Sequence, residues 1–271
     1  MKVSIFTTMT NPEKRNDPWE EALDCYSNVA DEIVVKGQDW PYEFSWEHIG
    51  ETFHSGFIES KGDWAIKMDL DYFFHENKIE KLHEALFNNK NKPAVAFPQY
   101  QFFSYDRYQI KTLFCIALNK KEFPDIRLNG GGDLCLPTLN GKLINPWDMP
   151  IIDIPVWQYD SIFRTKEIIS EDRARFARAW NRKFKTFGDR GGGEPKIAFD
   201  AWFKGIEKKY RKHTFKTEIS SHPKFIKNKL SSIEKDSFGY DVFGLKDKTS
   251  FSMVDTIKGY KLKSTIKLKS I

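Results

Sequence analysis

The sequence predicts an α/β domain, a mostly parallel sheet flanked by helices and followed by a helical extension. Three observations carry that prediction. Short apolar runs alternate with helix-patterned stretches over residues 1–97, and such alternation implies right-handed crossovers between parallel strands. The runs are apolar on both faces, as a sheet covered on both sides requires. Aromatic residues make up 15% of the 271 residues, which supplies the apolar area that disordered chains lack.

The elements follow in order. Val3 to Thr8 reads as the first strand. Asp17-Pro18-Trp19-Glu20 opens a helix, with Asp17 as N-cap and Pro18 at the first helical position. Trp19, Ala22, Leu23, Tyr26 and Val29 then recur at helical spacing. Glu32 to Val35 is a second strand, and Ile49, Phe53, Phe57 and Ile58 mark a second helix ending near Gly62. Trp64 to Met68 is a third strand. Ile79, Leu82, Ala85 and Leu86 mark a third helix, stopped by the run from Asn88 to Pro93. Beyond it, Ala94 to Tyr105 and Thr112 to Asn119 predict Phe- and Tyr-rich strands added antiparallel to the sheet. Gly130-Gly131-Gly132 and Asn140-Gly141 signal turns. Two helices follow, from about Lys166 to Phe187 and from about Pro195 to Lys212. The glycines Gly191 to Gly193 between them lack a phosphate-loop ending and read as a mobile connector. At the C-terminal end, Tyr260 to Lys263 and Ile266 to Lys269 alternate, which predicts a short edge strand with its lysines in solvent and no attachment to anionic lipid.

Composition excludes several classes. The formal net charge is +5, and the segment from Lys258 to Ile271 holds five lysines and no acid. The remainder is close to neutral, so a uniformly basic nucleic-acid binder is not implied. No window approaches the roughly 18–20 apolar residues of a transmembrane segment. The N-terminus has no apolar signal-like run. Cys25, Cys115 and Cys135 lie too far apart for a disulfide framework or a zinc pattern. Together these features predict a cytoplasmic protein.

The chemistry concentrates in Gly62-Asp63-Trp64-Ala65-Ile66-Lys67-Met68-Asp69-Leu70-Asp71. An apolar strand runs into two carboxylates one residue apart, and in an extended chain both face the same side. The carboxyl end of a parallel strand is where open α/β sheets bind ligands. Two hard oxygen ligands there suit Mg²⁺ or Mn²⁺ bound together with substrate phosphates.

On these residues, the first 105 positions resemble a GT-A-fold nucleotide-sugar glycosyltransferase of the family-2 type. The resemblance rests on the glycine-started helix from Gly56, then Gly62-Asp63-Trp64, a hydrophobic strand and the Asp-x-Asp pair. It implies a GT-A-like, Rossmann-like core over residues 1–165, with a donor half at 1–105 and an acceptor half at 106–165. Residues 166–271 are then a helical, Lys-rich extension. It also implies that Asp69 touches the nucleotide sugar and Asp71 binds the metal, with Asp69 contributing. Thr7 and Thr8 would meet the nucleobase, Asp39 the nucleoside, and His54 the pyrophosphate. In the stretch Val156-Trp157-Gln158-Tyr159-Asp160, Gln158 takes the place where relatives carry a metal-binding His, and Tyr159 is an alternative phosphate contact.

The implied reaction moves a sugar from a nucleotide-diphosphate donor to a saccharide or other hydroxyl acceptor, as in glycan biosynthesis. Such a transfer with inversion needs a carboxylate base. Asp133, after the glycine cluster, is the first choice, with Asp106 and Asp125 behind it. Trp147, Trp157, Tyr100 and Tyr105 are candidates for stacking on sugar rings or for the core. Two other readings remain open: a non-catalytic glycan- or nucleotide-binding relative, and a nucleotidyltransferase using the same carboxylates.

Overall fold

The computed structural model describes residues 1–38, 40–128 and 136–270. The first strands are β1 (Val3–Thr8), β2 (Glu32–Lys36), β3 (Trp64–Lys67) and β4 (Tyr72–Phe73). The long hairpin pairs β5 (Ala94–Ser104) with β6 (Arg107–Asn119). Then come β7 (Arg127–Leu128), β8 (Pro137–Leu139), β9 (Lys142–Leu143), β10 (Val156–Tyr159) and β11 (Phe215–Lys216). The helices are α1 (Trp19–Val29), α2 (Trp46–Glu59), α3 (Ile79–Asn88), α4 (Lys166–Phe184), α5 (Pro195–Tyr210), α6 (Lys227–Ser231), α7 (Phe238–Asp241) and α8 (Met253–Lys269).

The main sheet runs in the order β2-β1-β3-β6-β5-β10-β4, with β11 added beside β6. It is mixed. The pairs β1–β2, β1–β3 and β5–β10 are parallel, whereas β6 runs antiparallel to both β3 and β5. Two reversals on either side of β6 leave β1, β3 and β10 pointing the same way. Their carboxyl ends therefore reach one edge, and the site is built there. Strands β7, β8 and β9 form a small separate sheet.

Every residue of β3 and of the 11-residue β5 is buried, as expected of strands covered on both faces. α1 buries Ala22, Cys25, Tyr26 and Val29, which is the stripe its spacing predicts. α2 buries Trp46, Ile49, Phe53 and Phe57. α4 lies against it through Trp46 and Trp180, edge to face at 5.1 Å. No helix among the described residues is long and apolar enough to cross a membrane.

Three expectations are corrected. α1 begins at Trp19 after Pro18, and no side chain caps it; Asp17 turns instead to two arginines. The segment Gly191–Gly193 is a packed connector. Gly191 has φ +77, and a Cβ there would meet Ala201 and the Ile197 carbonyl within 3 Å, while the Gly193 carbonyl accepts from Arg178 at 2.7 Å. The Lys-rich tail is helix α8, not an edge strand. Ser252 caps it by accepting from the Asp255 amide, and Gly259, Leu262 and Ile266 turn inward at helical spacing.

Candidate active site

A cleft opens at the shared strand edge. The first strand and the loop after it contribute Thr8 and Thr10, the segment after β3 contributes Asp69 and Asp71, and β10 with its continuation contributes Gln158 and Asp160. α2 supplies Ile49 and Phe53, and α4 supplies Asp172, Arg173, Arg175 and Phe176.

Asp69, Leu70 and Asp71 form a turn between β3 and β4, so the extended-chain geometry expected for them does not hold. The Tyr72 amide donates to the Asp69 carbonyl at 2.8 Å and closes the turn. Both carboxylates still line the cleft. Their backbone is pinned on three sides. Met68 N–H donates to Phe6 O at 3.0 Å, and Tyr159 N–H donates to Asp71 O at 2.9 Å. The buried Tyr26 hydroxyl donates to the Asp69 carbonyl at 2.6 Å. Farther back, Gly62 passes so close to β1 that a Cβ would lie 2.6 Å from the Ser4 nitrogen, and only glycine permits that approach.

Charge is unevenly compensated across the two carboxylates. Lys67, at the end of β3, is buried and places Nζ 3.1 Å from Asp69 Oδ2. Asp71 has Gln158 Nε2 at 3.4 Å from its Oδ2. Burial, then the nearby charges of Asp69 and Asp160, push the Asp71 carboxyl up to about 8, against a smaller opposing pull from Arg164. Asp160 behaves oppositely. Burial would raise it, but Arg173, Lys111 and Arg164 hold it below the usual carboxylate range. It accepts from Gln101 Nε2 at 3.0 Å and from Ser161 Oγ at 3.1 Å.

One wall of the cleft is a closed ring of alternating charge. Arg15 reaches Asp17 at 3.2 Å and Asp172 at 3.3 Å. Arg164 reaches Asp172 at 3.2 Å and donates from Nε to Asp17 at 3.1 Å. The ring joins the loop after β1 to α4, and a buried ring of this kind holds only while every member is paired. Arg175, also on α4, donates to the carbonyls of Tyr42 and Pro41 at 2.8 and 3.2 Å. That contact fixes the loop after β2 above the cleft.

The structure brings together Thr8, Asp69, Asp71 and Gln158 from the expected set. Thr7 is buried and Thr8 takes the lining position. His54 is not in the lining. It lies one residue beyond Phe53 on α2, rotated away from the cleft, with Nε2 3.1 Å from Arg127. Tyr159 is core, and its hydroxyl meets His222 at 2.8 Å. Trp157 stacks on Phe102 and Tyr100 on Tyr108, so the cleft takes its aromatic surface from Trp40, Phe44, Phe53, Tyr72 and Phe176 instead. Asp106 pairs with Lys246 at 3.0 Å, and Asp125 is exposed on a turn; neither lines the cleft. Asp39 and Asp133 lie outside the described residues. The residues that sequence reasoning missed are Arg15, Asp17, Lys67, Asp160, Arg164, Asp172, Arg173 and Arg175. Only Asp160 carried a signal, since it ends the Val156-to-Asp160 stretch.

The donor set fits a hard divalent cation shared with a substrate phosphate. Asp71 is a carboxylate in a field of like charge, which a cation relieves. Such ions commonly take one or two carboxylates and complete their shell from phosphate and water. Gln158 turns Nε2 toward Asp71, and its Oε1 accepts from Gln99 at 2.7 Å, which leaves one lone pair of that oxygen. No group of three or more His, Cys, Asp or Glu suited to a metal occurs among the described residues.

No protein family matches the chain, and no curated protein matches it. Among solved structures it is similar to TarS from S. aureus. The TM-score is 0.38 against TarS 1-349 at 9% identity, covering 76% of this chain and 79% of that one. Against the longer TarS chain it is 0.35 at 11% identity, covering 70% of this chain and 45% of that one. Against TarS 1-349 in complex with UDP it is 0.32 at 11% identity, covering 79% and 81%. The likeness is distant, and function is read from the residues of the cleft.

Proposed function

We propose that the chain transfers a sugar from a nucleoside-diphosphate donor to a saccharide or other hydroxyl acceptor. The observation that carries this reading is the Asp69–Asp71 turn at the carboxyl edge of β3, facing a cleft whose other wall is rich in arginine. A donor of this class presents a diphosphate between a nucleoside and a sugar. Asp69 and Asp71 would hold Mn²⁺ or Mg²⁺ against that diphosphate, and the ion supplies charge neutralisation for the leaving group. Arg173 and Arg175 add positive charge on the α4 side.

In the reaction the acceptor oxygen bonds to the anomeric carbon while the bond from that carbon to the diphosphate oxygen breaks, and the acceptor proton passes to a base. Among the described cleft carboxylates, Asp160 is the one left for that proton. Asp17 and Asp172 are committed to the arginine ring, and Asp69 and Asp71 face the diphosphate. Arg173, Lys111 and Arg164 keep Asp160 ionised and able to accept it.

The test is release of nucleoside diphosphate from a panel of nucleotide sugars in Mn²⁺, followed for wild type, Asp71→Asn, Asp160→Asn and Asp133→Asn. The expected results are loss of donor binding in Asp71→Asn, and a kcat lowered about 10²–10⁴-fold with donor affinity kept in Asp160→Asn. If Asp133→Asn shows that kcat loss instead, the base moves to Asp133. Pyrophosphate as product would overturn the transferase reading in favour of nucleotidyl transfer.

A further inference from the structure

We propose that α8 docks on an anionic lipid bilayer through an outward apolar row flanked by lysines. The helix packs on the domain with Gly259, Leu262 and Ile266. On its opposite face Met253, Ile257, Tyr260 and Leu268 lie along one side, 79, 61, 58 and 86% exposed, with Ser264 between the last two and the Tyr260 ring resting edge-on against Phe215 at 5.0 Å. Single exposed apolar side chains are ordinary, but several along one helix side mark an interaction surface. Trp147 extends the patch. It is 42% exposed, and Lys269 Nζ sits 5.6 Å above its ring; tryptophan is favoured at the water–lipid boundary.

Charge selects the occupant. Lys261 and Lys267 flank the row and Lys258 and Lys269 stand farther round the same helix, while Lys263 lies over Phe215; no acidic residue occurs from Lys258 to Ser270. A second copy meeting the same face would set lysines against lysines. An anionic bilayer offers opposite charge at its surface and apolar chains just beneath, so a helix in the interface plane satisfies both features. α8 contributes nothing to the cleft lining, so this docking holds whatever the cleft transfers.

The experiment is co-sedimentation of the full chain with vesicles of phosphatidylcholine carrying about one-third phosphatidylglycerol, in about 0.15 M salt, against phosphatidylcholine alone. Wild type is expected to sediment with the anionic vesicles only. Ile257→Asp with Leu268→Asp should weaken binding about tenfold or more. Lys258→Gln with Lys261→Gln and Lys267→Gln should weaken it on the order of 100-fold. All five side chains are exposed, so unchanged melting temperatures are expected and confirm that the fold is intact. Absence of wild-type sedimentation overturns the proposal. So does binding indifferent to Ile257→Asp with Leu268→Asp, or a concentration-dependent dimer that these changes abolish in a chain that ignores vesicles.

Discussion

Lys67 holds its ammonium 3.1 Å from the Asp69 carboxylate, with both side chains inside the cleft wall. Asp69 thus has a built-in counter-ion, whereas burial and like charge hold Asp71 protonated up to about pH 8. Lys67→Met removes that cation and leaves Asp69 facing Asp71. The variant is expected to lose about 1–3 kcal/mol of stability. It should also need less Mn²⁺ to support nucleotide binding, because a competing positive charge is gone. Urea unfolding and a Mn²⁺ titration at fixed nucleotide measure both effects.

Asp71→Asn is expected to stabilise the ligand-free protein at pH 7 while removing donor binding. The carboxyl titrates near 8 in the fold, against 3.8 ordinarily, so at pH 7 the fold keeps a proton that the unfolded chain releases, and this works against folding. Asn keeps the shape and drops the charge. The gain is up to about 2 kcal/mol, after discounting for the side chain's contact with water. Urea midpoints of the two proteins at pH 7 test it, and a less stable Asp71→Asn would contradict the charge assignment.

Two buried histidines set the acid limit of the fold. Burial lowers His213 to about 3 and His222 to about 4. The geometry agrees. The carbonyl of Tyr105 can only accept, so His222 Nε2–H donates to it at 2.8 Å and Nδ1 accepts from the Tyr159 hydroxyl. Below the ordinary value of 6.5 the unfolded chain binds protons that the fold refuses. The stability these residues contribute is complete above pH 6.5 and is lost as pH falls toward 4. Asp71 acts in the other direction, since the fold holds its proton between pH 3.8 and about 8. His54 and His75 are also held below 6.5 by burial, so the histidines outweigh Asp71 and stability is predicted to fall in wild type as pH drops from 6 to 5. In Asp71→Asn the opposing proton is gone, and the slope should be steeper than in wild type by about 1.4 kcal/mol per unit. Unfolding curves across that window measure both slopes.

Much of this architecture is legible from spacing alone. Apolar periodicity marks β1, α1, β3 and α3, and the Asp69–Asp71 pair announces itself by following a buried strand. The arginine wall is not legible. Arg164 meets Asp17 across 147 positions, and an arginine on a charged helix reads equally well as solvated until the fold brings an acid to it. The aromatic residues of β5 and β10 mislead for a related reason, because a ring that stacks on sugar and a ring that packs on Phe102 have the same composition. The tail misleads through its short alternation, which four residues of either strand or helix satisfy. The Ser252 cap and the inward row through Gly259, Leu262 and Ile266 decide it for helix.

The most direct test of the Asp69–Asp71 cleft as a diphosphate site is ligand-induced stabilisation. Melting temperatures are measured with a panel of nucleoside diphosphates and nucleotide sugars, each with Mn²⁺ and with chelator. Each protein is compared with its own ligand-free state. A ligand at about 100 times its Kd should stabilise wild type by about 2.7 kcal/mol. The account predicts this shift with Mn²⁺, its loss with chelator, and its absence in Asp71→Asn. A wild type that no nucleotide stabilises, or an Asp71→Asn that responds like wild type, would contradict it.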